Sequence, residues 1–245
     1  MLISSLKLKN SDSLFNLNNV IKYSLNNHKE EITEYLFLFD KVMSATRKWF
    51  EFIYCILAGI QVRTSTVKKV YEILFEKIGY DLILLKISKS RRIADKIQKI
   101  LKSNGYRFYS SKTETILNTA RFFKDYKHNP DNFINNYHNY KDLRNELITI
   151  KGIGFKIASH WLRNIGVEIP IIDNHVKNLL YYTGIIKNRK NSYIEFENLI
   201  IELARILNIK IFLLDLSIWI FGRENCANNK CLSCFLKDLC LKINL

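Results

Sequence analysis

The sequence predicts an all-α protein with two helical lobes. The 245 residues include only two prolines and eight glycines. So few turn-forming residues favour helices over many short strands. Apolar residues recur at helical spacing along the chain, and 48% of the residues are hydrophobic, which is enough for a genuine core. About ten helices with short connections are expected, and that number suits two lobes.

The charge balance points to a polyanionic partner. Lys and Arg number 38 against 23 Asp and Glu, which gives a formal charge of +15 and a pI of about 9.5. Nucleic acid is the first candidate for such a partner. No run approaches the roughly 18 consecutive apolar residues of a membrane span, and the N-terminus has no long apolar core after a basic start. We therefore expect an intracellular protein with no membrane partner.

Two helices are predicted near the start of the chain. Residues 31–45 carry apolar residues at helical spacing, and residues 47–60 are apolar almost all round, as in a helix buried at the centre of a bundle. Cys55 lies in the second of these helices. A lone cysteine on such a face behaves as a small hydrophobe, so we interpret Cys55 as core filling.

Three further helix starts are predicted from capping residues. Ser65 precedes a helical pattern and is a candidate N-cap. Ser111 with Glu114, and Ser192 with Glu195, have the spacing of a capping box. Each pair predicts a helix that begins directly after its serine.

The stretch ITIKGIGFKIASHW, residues 148–161, predicts a tight turn between two helices. Gly152 and Gly154 allow the backbone to turn sharply and to approach another molecule closely. Backbone amides at the start of the second helix then point outward and can bind phosphate without side-chain charge. Together with Lys151 and Ile153, the turn is a candidate DNA-binding hairpin. A plain connection between two helices is the alternative.

Lys156 is the candidate nucleophile of this hairpin. It lies in the first turn of the second helix, where a cation faces the positive end of the helix dipole. That dipole and partial burial would both lower the affinity of the amine for its proton. A deprotonated lysine can form a Schiff base with the aldehyde carbon of a sugar. The alternative is a solvated lysine near a DNA phosphate.

Asp173 precedes the next predicted helix and follows an apolar segment. Its ordinary role would be that of an N-cap. Because a cap holds the carboxylate rigidly and leaves one oxygen free, a catalytic role is compatible with it.

Four of the five cysteines lie within the last 20 residues, with the spacing C-x4-C-x2-C-x5-C. Four thiolates in so short a span suit a tetrahedral zinc ion or a cubane iron–sulfur cluster. The spacing alone leaves both open. The candidate metal ligands are Cys226, Cys231, Cys234 and Cys240.

The glycines of the hairpin, Lys156 and Asp173 together resemble the helix-hairpin-helix DNA glycosylase superfamily, whose GxGxK motif is followed by an aspartate before a helix. Four stretches look most like its type 2 8-oxoguanine DNA glycosylase/lyase family: GYRFYSSKTETILNTARFF, IKGIGFKIASHWLRNIG, IIDNHVKNLLYYTGII and LDLSIWIFG. The resemblance covers most of the chain. It implies a two-lobed fold with DNA across the cleft, one lobe being residues 46–168 and the other residues 1–45 with 169–245.

The same resemblance implies roles for individual residues. Lys156 would attack C1′ of the damaged nucleoside, and Asp173 would meet it from the opposite lobe and support the charge that develops on the sugar. The segment around Gln61 is similar to the endonuclease III segment whose glutamine fills the gap left by the flipped nucleotide, the alternative being a surface helix cap. Asp215 and Trp219 would line the pocket for the base, the alternative being a structural partner and a core aromatic.

The cysteine loop is a departure from the type 2 family, whose members typically end shortly after the DLSIW helix with a terminus that reaches the base pocket. The last three cysteines match the cluster loop of endonuclease III and the mismatch adenine glycosylases, except that the first gap has four residues here instead of six. This similarity favours a [4Fe-4S] cluster, with zinc as the alternative. Any base contact made by the usual terminus is missing or replaced.

The resemblance implies a monomeric, cytoplasmic repair enzyme that acts on double-stranded DNA containing a damaged base, at the nucleoid if the cell is prokaryotic. It would excise an oxidised base, with 8-oxoguanine as the leading substrate, and then nick the strand by β-elimination. An endonuclease III-like enzyme for oxidised pyrimidines is the alternative within the class. A non-catalytic DNA-binding protein with a structural zinc is the alternative from another class.

Overall fold

The computed structural model describes residues 11–40, 42–59, 62–78 and 91–242. Within these ranges all regular secondary structure is helical, which confirms the predicted all-α class, and no helix there combines the length and apolarity that crossing a membrane requires. Gln61 lies outside the described residues. The helices are α1 Ser11–Asn27, α2 Lys29–Asp40, α3 Ala45–Leu57, α4 Thr64–Ile78, α5 Arg91–Ser103, α6 Tyr109–Phe122, α7 Pro130–Asn135, α8 Tyr140–Leu147, α9 Phe155–Asn164, α10 Asn174–Tyr182, α11 Tyr193–Leu207 and α12 Ile211–Phe221, followed by a π-helical turn Gly222–Cys226 and a 3-10 turn Lys237–Leu239.

The chain divides into two compact units. The central unit is Lys41–Val167, and the terminal unit joins Met1–Asp40 to Glu168–Leu245. The central unit therefore contains the glycine turn and Lys156, whereas the terminal unit contains Asp173 and the four-cysteine loop.

Aromatic packing holds the central unit together. Helix α3 is buried over most of its length, as predicted, and its Cys55 is fully buried. The Phe52 ring stacks on Trp161 of α9 with centroids 4.5 Å apart, and the Trp161 indole nitrogen donates to the Lys48 carbonyl at 2.7 Å. Phe123, the C-cap residue of α6, packs edge-on against both rings. This packing fixes α9, and with it Lys156, against α3.

The terminal unit is built around α12, which is apolar on nearly all sides. Its Leu214 and Ile218 pack in one core with Val20 of α1 and Val176 of α10. Close apolar packing of this kind leaves little room for rearrangement. Helix α10, which follows Asp173, is therefore packed against a rigid core.

Of the three helix starts predicted from capping residues, the structure confirms one and contradicts two. The capping box of Ser192 and Glu195 is confirmed, because each side chain accepts a hydrogen bond from the backbone of the other. The prediction for Ser111 was wrong, since α6 begins at Tyr109 and the Ser111 hydroxyl donates to the carbonyl of residue 108 instead. Tyr109 lies in the first turn of α6, and the Lys102 ammonium of α5 is 5.6 Å from the centroid of its ring, a contact that favours keeping Tyr109 in the helix. Ser65 likewise lies inside α4, which begins one residue earlier.

Candidate active site

The glycine turn has the geometry of a phosphate-binding hairpin. It joins α8 to α9 through residues 148–154, and Gly154 is the N-cap of α9 with extended backbone angles. Ile153 is buried and anchors the turn, whereas Lys151, Gly152 and Gly154 are exposed. The backbone on either side of Ile153 is therefore accessible, and the first amides of α9 lie at an exposed helix N-terminus.

Helix α6 is the platform on which the turn rests. Gly152 adopts φ +96°, and a Cβ placed on it would lie 2.2 Å from Oγ1 of Thr115. The side-chain amide of Asn118 donates a hydrogen bond to the Lys151 carbonyl at 3.4 Å. Lys151 also pairs with Glu114 at 3.5 Å, but an ion pair this exposed contributes little stability. The close approach of the Gly152 backbone to the Thr115 side chain, together with the positive φ, requires glycine at 152.

Replacing Gly152 by alanine is expected to destabilise the protein by about 2 kcal/mol or more, because a Cβ there combines left-handed backbone strain with the clash on Thr115. Gly154→Ala is the matched control. Its Cβ would meet nothing within 4 Å at φ −109°, so a change within about 0.5 kcal/mol is expected. Urea unfolding of both variants measures the difference, and equal losses would contradict the packing argument.

Lys156 is the second residue of α9 and is partly buried. His160 lies one turn further along the same helix. Burial, and then the positive charges of Arg163 and Lys156, hold the pKa of His160 well below its usual value. The imidazole is therefore neutral at physiological pH and adds no charge beside Lys156.

A second lysine, which was not predicted as a site residue, is buried in α6. Lys112 of α6 is only 2% exposed. Its ammonium and the Ile157 side chain each lie about 3 Å from the point where Gly59 would carry a Cβ. Burial, and then the charge of Lys156, lower the pKa of Lys112 to about 8. The signal in the sequence is a lysine on the buried face of α6, one turn before Ile116.

Asp173 is the N-cap of α10, as predicted. Its Oδ1 accepts a hydrogen bond from the Val176 amide at 3.0 Å, and its backbone is extended. The side chain is partly buried. The cap fixes one carboxylate oxygen to the helix, so the orientation of the other oxygen follows from the backbone at 172–173.

Side chains from two helices hold the segment that leads into Asp173. Asp215 of α12 is buried, and its Oδ2 accepts from the Ile171 amide at 3.0 Å. The Tyr193 hydroxyl of α11 accepts from the Ile172 amide at 3.2 Å and donates to the Pro170 carbonyl at 3.4 Å. We call residues 170–172 the anchored segment. Asp215 is an expected pocket residue, but one of its carboxylate oxygens is thus hydrogen-bonded to the backbone amide of Ile171.

Trp219 lies one helical turn after Asp215 and is partly buried. The Arg223 guanidinium sits 4.5 Å from the centroid of the Trp219 ring and makes two hydrogen bonds, of 2.7 and 2.8 Å, to the Glu31 carboxylate. The indole is therefore held in place by a stacked, ion-paired arginine.

The four cysteines near the C-terminus line one small cavity of about 20 Å³. Burial, and then the neighbouring cysteines, raise the pKa of Cys226 to about 11. The Lys242 ammonium donates to the Cys226 carbonyl and to Asn229 Oδ1, both at 2.9 Å, and so ties the end of the loop to its beginning. Among the described residues, no three His, Cys, Asp or Glu side chains stand close enough together to hold a metal ion as they are placed. The cavity is lined by Cys226, Cys231, Cys234 and Cys240 together with Asn225, Lys230, Lys237 and Lys242.

Comparison with known proteins gives one consistent family. The family described as 8-oxoguanine DNA glycosylase matches residues 28–209. A Methanocaldococcus jannaschii protein named 8-oxoguanine DNA glycosylase/AP lyase is 36% identical over 132 residues, which are 51% of this chain and 61% of that protein. A Sulfurisphaera tokodaii protein of the same name is 32% identical over 178 residues, 70% of this chain and 80% of its own. The first of these matches thus spans less than two thirds of the relative.

Solved structures agree. The crystal structure of the M. jannaschii 8-oxoguanine DNA glycosylase superposes with a TM-score of 0.69 at 27% identity, covering 86% of this chain and 94% of that one. A trapped endonuclease III–DNA covalent intermediate superposes at 0.60 with 22% identity, covering 90% and 93%, and shows a likeness of fold. The hairpin geometry, the family match over most of the chain and these neighbours lead to one conclusion: the chain belongs to the 8-oxoguanine DNA glycosylase family of the helix-hairpin-helix superfamily.

Proposed function

We propose that the protein is a bifunctional DNA glycosylase and AP lyase that flips out and removes an oxidised base, 8-oxoguanine first among them, and then nicks the strand. The observation that carries the proposal is Lys156 in the first turn of α9, directly after the exposed glycine turn, in a chain of this family. Relatives that match it are named 8-oxoguanine DNA glycosylase/AP lyase.

The chemistry assigned to Lys156 is nucleophilic. Its free amine attacks C1′ of the damaged nucleotide, a nitrogen–carbon bond forms, and the bond to the base breaks with its electron pair leaving on the base. Opening of the sugar gives a Schiff base, and loss of a proton from C2′ then expels the 3′ phosphate by β-elimination. Asp173 stabilises the positive charge that develops on the sugar and helps to move protons. A glycosylase without this lysine would release the base with water alone.

The hairpin supplies the grip on DNA. Backbone amides of Lys151, Gly152 and Gly154 would bind a phosphate at the N-terminus of α9, while the Ile153 amide holds the turn by donating to the Ile150 carbonyl at 2.9 Å. The net charge of +15 adds nonspecific attraction. Flipping the base out of the duplex costs about a few kcal/mol in lost stacking and pairing, and contacts in the base pocket offset this cost.

Three further residues take part in handling the flipped nucleotide. Asp215 and Trp219 are proposed to line the base pocket, and Gln61 to fill the gap that the flipped nucleotide leaves. Since the substrate would be chromosomal DNA, we place the enzyme in the cytoplasm, at the nucleoid in a prokaryote, acting as a monomer.

The cysteine loop is proposed to hold a [4Fe-4S] cluster. The chemistry of the donor set supports this cofactor, because thiolates are its usual ligands and all four thiol groups line the same cavity. Cys226, Cys231, Cys234 and Cys240 would be the ligands, with zinc as the alternative. The bound group would order the C-terminal segment and its lysines against DNA.

An endonuclease III-like activity on oxidised pyrimidines is the second candidate, and the four-cysteine loop favours it. Duplexes that carry 8-oxoguanine, an oxidised pyrimidine or no lesion separate the candidates under single-turnover conditions. We expect the fastest release from the 8-oxoguanine duplex, and a covalent adduct on adding borohydride. Faster release of the pyrimidine would support the second candidate. No release and no adduct from any duplex would leave a non-catalytic DNA-binding protein with a structural zinc.

A further inference from the structure

The anchored segment, residues 170–172, is held by side chains rather than by regular secondary structure. Its hydrogen bonds reach Tyr193 on α11 and Asp215 on α12. Pro170 has no amide hydrogen to donate, so its carbonyl is the polar backbone group available to the Tyr193 hydroxyl. Ile171 and Ile172 are buried, and their side chains cannot turn outward without losing core contacts. The path of the backbone into Asp173 is therefore set by two helices at once.

We propose that Tyr193 is a positioning residue for Asp173, fixing the free carboxylate oxygen through the anchored segment. The inference rests on the proposed function, since it gives the carboxylate a catalytic task. The cap to Val176 holds Oδ1, and because the two oxygens belong to one planar carboxylate, the position of the Asp173 backbone then determines where the other oxygen points. The Tyr193 hydroxyl touches the amide of residue 172, the last residue before that carboxylate.

Geometry explains why a hydroxyl at this distance matters for rate. A displacement of about 1 Å in a catalytic group can cost about 100-fold in rate, even when the substitution lies away from the reacting atoms. Removing the hydroxyl leaves the Ile172 amide and the Pro170 carbonyl without this partner in a largely apolar setting. The unpaired backbone groups then favour a displaced backbone in which they find other hydrogen-bond partners, and Asp173 moves with that backbone.

The test uses Tyr193→Phe, which keeps the ring and deletes the hydroxyl. We expect single-turnover base release to slow by about 10- to 100-fold, whereas affinity for undamaged duplex changes less than about twofold. The thermal midpoint should fall by less than about 4 °C, the share of one hydrogen bond in a chain of this size. Tyr23→Phe is the matched control, because Tyr23 is partly buried in the same unit and packs on Phe221. It should retain the wild-type rate.

A double-mutant cycle isolates the route through Asp173. In an Asp173→Asn background, Tyr193→Phe should change the residual rate by less than about threefold, because the group it positions has lost its charge. A loss of 10-fold or more in both backgrounds would overturn the positioning role and leave Tyr193 with an independent one. A wild-type rate for Tyr193→Phe would overturn it as well.

Amide hydrogen exchange provides a readout that does not require activity. In Tyr193→Phe, a peptide covering residues 169–176 should exchange faster than in the wild type, while peptides from α9 stay unchanged. Unchanged exchange in residues 169–176 would overturn the inference. A wild-type protein that releases no base from any duplex would instead overturn the proposed function, while exchange still reports whether Tyr193 anchors the segment.

Discussion

Lys156→Gln is expected to abolish borohydride trapping and to slow strand nicking by at least about 10³-fold, because the nucleophile of the proposed reaction is gone. Glutamine keeps a polar side chain of similar length, so the helix start and its packing should persist. Affinity for undamaged duplex should fall less than about threefold, since phosphate contacts dominate nonspecific binding. A gel assay of the covalent adduct and a filter-binding titration measure the two effects.

Lys151→Gln is the matched control for this experiment. Lys151 lies in the same hairpin, but its side chain is 83% exposed. It should retain trapping while losing some affinity for DNA. If Lys156→Gln were trapped at the wild-type level, the nucleophile would lie elsewhere, and Lys112 would be the next residue to replace.

Cys234→Ser is expected to remove the metal group and to destabilise the terminal unit. Protein carrying an iron–sulfur cluster should be brown, with broad absorbance at about 400 nm and about four iron atoms per chain. The variant should lose the iron, and its thermal midpoint should fall by at least about 5 °C. DNA affinity should weaken, because the lysines around the cavity lose their ordered loop.

Ser233→Ala serves as the control beside it, because Ser233 is exposed and its hydroxyl donates a hydrogen bond to the Lys230 carbonyl within the loop. This variant should keep its metal and its stability. Colourless wild-type protein with one zinc ion per chain would show that the loop binds zinc and not an iron–sulfur cluster. Full metal content, stability and DNA affinity in Cys234→Ser would show that the four-cysteine site is wrongly drawn.

Local features of the chain were open to prediction because their causes are local. The glycines of the hairpin, the start of α9 before Lys156, the N-cap at Asp173 and the capping box at Ser192 each depend on residues within one or two turns. At Ser111 the pattern failed beside a tertiary contact, and at Ser65 the helix begins one residue earlier than the pattern indicates. A capping pattern competes with packing of the residues before it, and at Ser111 the packing of Tyr109 prevails.

The sequence by itself determined the helical class, the hairpin with its lysine, the capped aspartate and the family that these residues indicate. Only the tertiary structure decided that Lys112 is buried with its ammonium near Gly59 and Ile157, and that Tyr193 and Asp215 hold the segment before Asp173. The physical reason is sequence separation. A cap or a tight turn is written in neighbouring residues, whereas a hydrogen bond between Asp215 and Ile171 spans 44 positions and exists only once the core has placed their helices.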